Sequence, residues 1–174
     1  SDDDEGARVS LARVTQGARD DMAKALGVMP PSPVTVRFHP TTDAFERTTG
    51  RAWFTSGAVL DGEMHFVPVS GLRERGVLER TLRQALVHVM VDRELTGRPA
   101  WVREGAAIYF GGDRQGGGDA NGQPRIQATP RPPCPTDAEL EQPRSMGELV
   151  TAYARARACF ARQMTSGRSW RDVK

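Results

Sequence analysis

No run in this chain approaches 18 consecutive apolar residues, so nothing in it reads as a membrane-spanning helix. A block of Lys or Arg is missing too, and the net charge is only +2, which argues against a nucleic-acid surface. Lysine is nearly absent. Lys24 and Lys174 are the two, and Arg carries the rest of the basic side, a usage that suggests a high-GC bacterial source. The chain shows no internal repeat, and its 174 residues fall short of two comfortable domains. SDDDEGARVS at the N-terminus carries no signal peptide. It reads as the start of a mature chain or as a cut within a larger protein.

What is present fits one soluble globular domain over 1–174, with 38% hydrophobic and 26% charged residues and enough length for a real core. Residues 1–6 read as a frayed acidic tail. Ala7–Leu26 carries Val9, Leu11, Val14, Ala18, Met22 and Leu26 at helical spacing and closes at Gly27. Val34–Phe38 alternates and is β-branched, a strand that ends at His39-Pro40. Thr41-Thr42-Asp43 offers caps for a short helix over Ala44–Thr48. Ala52–Ser56 and Ala58–Leu60 read as short strands, and Asp61-Gly62 marks a hairpin into the strand Glu63–Val67. His39 and His65 are expected in structural roles.

The stretch 77–110 reads as two helices. Leu78, Leu82, Leu86, Val89 and Leu95 give the first, and Thr96-Gly97-Arg98-Pro99 stops it. The second runs from Ala100 to Phe110 and ends at Gly111-Gly112. Residues 111–135, rich in Gly and Pro and containing PPCP, read as a long mobile loop. Thr136–Glu141 reads as a short helix. Met146–Gln163 reads as a long one with Leu149, Tyr153, Ala156 and Phe160 on one face, and Ser169–Asp172 opens a last turn of helix.

TLRQALVHVMVD followed by WVREGAAIYF resembles the gluzincin zinc-peptidase pattern, in which HExxHxxxD on one helix is followed by WxxEGxAxYF on the next. Ala44-Phe45, Thr49-Gly50, Trp53, Gly57, Asp61-Gly62 and Pro68 match the sheet that precedes that helix in the family, and Met146–Gln163 is similar to the helix that closes it. The resemblance implies an α+β fold, a small mixed or antiparallel sheet followed by a helical half, and covers about 34–165. In the family two His one turn apart and a Glu from the next helix hold zinc, and the Glu beside the first His takes a proton from the bound water.

Aligned on that pattern, Gln84 stands at the first His, Ala85 at the general base, His88 at the second His, Glu104 at the third ligand and Asp92 at the trailing Asp, behind the ligand histidine. A neutral amide is a poor zinc ligand and Ala85 has no proton acceptor, so the resemblance implies a vestigial metal site at His88 and Glu104, no catalytic residue, and loss of the ancestral zinc. Glu104 is then free to hydrogen-bond His88 and raise its pKa. The implied function is a pseudoenzyme that binds an extended peptide or protein, with Glu63–Val67 as the candidate edge strand that receives it; from the residues alone that strand reads equally as an interior or capped one. The alternative is an active metallohydrolase with a non-standard site of His88, Asp92 and Glu104. Tyr109 and Tyr153 are read as core packing. Cys134 and Cys159 either bridge the Pro-rich loop to the last long helix or are unrelated thiols. Exported relatives favour the bridge and a periplasmic or secreted location.

Overall fold

A computed structural model describes residues 2–112 and 131–174. The chain opens with α1 (Asp2–Leu26), whose Ala18, Met22 and Leu26 recur at four-residue spacing and are buried. Gly27 ends it in the left-handed conformation (φ 67°), which lets Val28 N–H donate to the Ala23 carbonyl at 3.0 Å. Next come β1 (Val36–Phe38) and α2 (Thr42–Thr49), where the Thr41 hydroxyl accepts from Ala44 N–H at 3.0 Å. Both sequence expectations hold there.

Residues 52–56 correct one of them. Trp53–Thr55 is a 3-10 turn, not a strand, closed by Thr55 N–H on the Ala52 carbonyl. Then β2 (Gly57–Leu60) and β3 (Glu63–Phe66) form the expected hairpin, with Asp61 and Gly62 both at positive φ (50° and 77°). A helix that the periodicity did not suggest, α3 (Val69–Glu74), leads into α4 (Leu78–Val91) and α5 (Ala100–Gly111). After it come α6 (Asp137–Glu141), α7 (Met146–Thr165) and a 3-10 turn at Trp170–Asp172. Of the long loop expected over 111–135, residues 113–130 lie outside the described residues.

The three strands pair in the order β1-β3-β2, with β1 and β3 parallel and β2 and β3 antiparallel. The class is α+β with a small mixed sheet. This order decides between the two readings of Glu63–Val67: it is an interior strand and not the edge that the resemblance implied. The crossover through α2 returns the chain beside β1, so β3 is enclosed between two strands and β2 becomes an edge. Gly57 is needed there, because a Cβ would come within 2.8 Å of the Phe66 ring. His39 and His65, both buried, share a hydrogen bond of 3.0 Å across β1 and β3, and Glu63 stands 3.3 Å from the far nitrogen of His65. Their structural reading stands.

Packing is centred on α4 and α5. Leu82, Leu86 and Val91 of α4 and Val102 and Ala106 of α5 are fully buried, with α1 and the sheet against α4 and α7 against α5. Each of the Leu and Val side chains contributes about 1.5–3 kcal/mol by leaving water. The Trp170 indole donates to the Leu26 carbonyl at 2.9 Å and ties the C-terminal turn to the end of α1. Cys134 and Cys159 form a disulfide between the segment before α6 and α7. No helix among the described residues is long and apolar enough to cross a membrane.

Two glycines let α5 approach its neighbours. A Cβ at Gly105 would lie 2.7 Å from the Ala156 carbonyl of α7, and one at Gly111 would lie 2.8 Å from the Gln84 nitrogen of α4. We expect Gly105→Ala to lower the urea-unfolding free energy by about 1–3 kcal/mol through overpacking. Gly17→Ala, where a Cβ meets nothing within 4 Å in α1, is expected to raise it by about 0.5–1 kcal/mol. Equal signs for the two variants would show that close helix contact does not constrain Gly105.

Candidate functional site

A cleft of about 160 Å³ opens between β2, α4 and α5, with Tyr153 of α7 and Arg51 at its sides. On α4, Thr81, Gln84, Ala85, His88 and Asp92 recur at three- and four-residue steps and so form one helical stripe along the cleft. The core stripe of α4 faces the other way. On α5 the same geometry presents Arg103, Glu104, Ala107 and Ile108. The N-terminus of α5 is capped from a distance, since Ala100 N–H donates to Asp137 Oδ1 at 2.8 Å.

Inside the cleft His88 lies between two carboxylates. Its Nδ1 is 2.9 Å from Asp92 Oδ1 and its Nε2 is 3.2 Å from Glu104 Oε2. Carboxylates only accept, so an imidazole that satisfies both must donate from both nitrogens, which is the imidazolium form. Burial alone disfavours that charge. The Glu104 carboxylate, followed by hydrogen bonds to Asp92 and Glu104, outweighs burial and holds the His88 pKa up at about 10. Burial works against the Glu104 charge in the same way, and His88, then Arg51 and Arg103, hold its pKa below the ordinary carboxylate range. Tyr153 is raised well above the ordinary phenol range, by burial first and the Glu104 charge second, and so stays a neutral O–H donor.

The expected residues therefore meet: Gln84, Ala85, His88, Asp92 and Glu104 line one cleft, and Glu104 does hydrogen-bond His88. The core-packing expectation holds for Tyr153, and the Tyr109 ring packs 5.4 Å from buried Phe160 but from an exposed position. Tyr109 is 36% exposed, with the Arg157 guanidinium 5.9 Å from its ring, while Tyr153 both packs on the core and lines the cleft. Arg51, Arg103 and Glu141 also line it, and sequence reasoning missed them. Only Arg103, beside the motif Glu, carried a signal that could have found it. Arg51 and Glu141 arrive from distant segments.

Zinc requires more of its ligands than this cleft supplies. His88 Nε2 and Glu104 Oε2 sit 3.2 Å apart, close to the edge of a tetrahedron with metal–ligand bonds of about 2.0–2.1 Å. A catalytic site wants a third protein ligand, and Gln84 supplies only an amide. Asp92 cannot complete the set from its present place, because it faces Nδ1 and the two ring nitrogens diverge. Among the described residues no group of three His, Cys, Asp or Glu side chains converges on a metal position. These residues do not fit a catalytic zinc.

The protonation states give a pH test. The folded His88 pKa of about 10 lies above the 6.5 of an unperturbed histidine, so its contribution to stability is complete below 6.5 and is lost as pH rises toward 10. His39 has the opposite sign: burial and then the His65 and Arg37 charges lower its pKa, so its contribution holds above 6.5 and is lost as pH falls. Imidazole NMR should find His88 still protonated at about pH 8 and His39 still neutral where a free histidine titrates. The unfolding midpoint should fall through the alkaline window, and His88→Gln should flatten that fall. A neutral His88 at pH 8 would refute the bracket.

Comparison of the chain with protein-family models, with curated proteins and with solved structures finds no match.

Proposed function

We propose that this chain is a catalytically degenerate gluzincin-like domain that binds an extended peptide or protein segment in the cleft beside β2. The observation that supports this reading is the pairing of His88 with Glu104 across α4 and α5, in a cleft also lined by Gln84 and Ala85, which the resemblance sets at the first-ligand and general-base positions. A water-activating base contributes about 10²–10⁴-fold to such a reaction, and the methyl of Ala85 cannot act as one. Binding does not need that base. Edge strand β2 brings backbone N–H and C=O groups to the cleft, and its outer side pairs with no strand among the described residues. An extended peptide adds to such an edge through main-chain hydrogen bonds. The disulfide supports an extracytoplasmic location, where an oxidising environment preserves it.

Metal analysis of the purified protein should find no stoichiometric zinc, and peptide substrates should stay uncut with zinc added. Tightly held zinc at one equivalent would sink the reading. In the double variant Gln84→His, Ala85→Glu, three ligands and a base face the cleft. It should then bind zinc with a dissociation constant of about 1 µM or tighter. A variant that folds and gains no zinc affinity would mean that the correspondence of Gln84 with a ligand position is wrong.

A further inference from the structure

Among the described residues that line the cleft, Arg51 is a cation with no carboxylate within ion-pair distance, although its charge helps hold Glu104 ionised. His88 stands between Asp92 and Glu104, and Arg103 approaches Glu141 at 3.8 Å. Arg51 has neither kind of neighbour. Its side chain reaches only the Glu141 backbone carbonyl, at 3.5 Å, and no carboxylate among the described residues comes within ion-pair distance of it. It is half-buried on the cleft wall with Thr55, Glu104 and Tyr153. A guanidinium with its fork largely unused is suited to a carboxylate, which it can take with two parallel hydrogen bonds.

The position of Arg51 along the sheet selects which carboxylate. It precedes the Trp53–Thr55 turn that feeds the start of β2, and Thr55 and Gly57 line the cleft beside it. Arg51 therefore stands at the Gly57 end of that edge. Antiparallel addition is the stronger strand pairing. A peptide so added runs from the Leu60 end to the Gly57 end and brings its C-terminal end to Arg51. Resting on the peptide-binding reading above, we infer that the cleft takes the C-terminal tail of a peptide, and that Arg51 binds its terminal carboxylate. Parallel addition would bring the peptide's N-terminal ammonium there, where Arg51 repels it.

The test uses two random octapeptide libraries, one with free C-terminal carboxylates and one amidated, passed over the immobilised protein and read by mass spectrometry. Retained sequences are then resynthesised in both forms for titration. Free-acid peptides should bind roughly 10- to 100-fold more tightly than their amides, the effect of a charge-assisted hydrogen bond. Arg51→Gln should remove that difference by weakening the acid form alone, Arg51→Lys should restore part of it, and the exposed Arg13→Gln should leave it intact. The Arg51 side chain makes one long hydrogen bond and its charge helps hold Glu104 ionised, so Arg51→Gln should lower the melting temperature a little while Arg51→Lys, which keeps the charge, should retain it. Equal binding of acid and amide would overturn the carboxylate assignment and leave peptide binding standing. Retention of neither library would overturn both, and a free-acid preference that survives Arg51→Gln would assign the contact elsewhere.

Discussion

The structure depends on how closely α5 lies against the helices on either side of it. Gly105 meets the α7 backbone and Gly111 meets the α4 backbone at distances that no side chain would permit. That approach carries Glu104 to within 3.2 Å of His88, one turn before Asp92 on α4. Burying any one of these charges alone would be costly, because a carboxylate or imidazolium loses its hydration on leaving water. Together each supplies what the others lost. The bracket is therefore a consequence of helix packing as much as of sequence, and removing one member leaves the others uncompensated.

Much of the electrostatic character of the cleft follows from that bracket. With His88 protonated and both carboxylates ionised, the trio carries a net negative charge, and Arg51 and Arg103 stand near enough to hold Glu104 in its ionised form. On the proposed reading, a proton between His88 and Glu104 occupies the place where relatives of the family hold a metal. The atoms facing each other are Nε2 of His88 and Oε2 of Glu104, with Gln84 and Ala85 lining the same cleft. The cleft keeps an open strand edge at β2, and Ala85 brings only a methyl to it.

The parts of the fold set by nearest neighbours were readable in the chain. Asp61-Gly62 announced the hairpin because its turn needs positive φ at both residues. Thr41 announced α2 because a hydroxyl there can accept from a free N–H, and Thr136 with Glu139 makes a capping box before α6 in the same way. The stretch 52–56 misled, since Trp53, Phe54 and Thr55 are strand formers by composition. Their turn is instead set by backbone bonds to Ala52 and by the bend at Ser56, which holds a positive φ of 67°.

By itself the sequence determined the two helices, the stripe that carries Gln84, Ala85, His88 and Asp92 on one face, and the absence of a base at position 85, because these follow from helical period and residue chemistry alone. Tertiary structure decided the rest. It set the strand order that encloses β3 and exposes β2, brought Tyr153 and Glu141 to the cleft, and left Arg51 there without a close carboxylate. The physical reason is range. Period and capping act within a few residues, whereas strand order and charge partners depend on where distant segments come to rest.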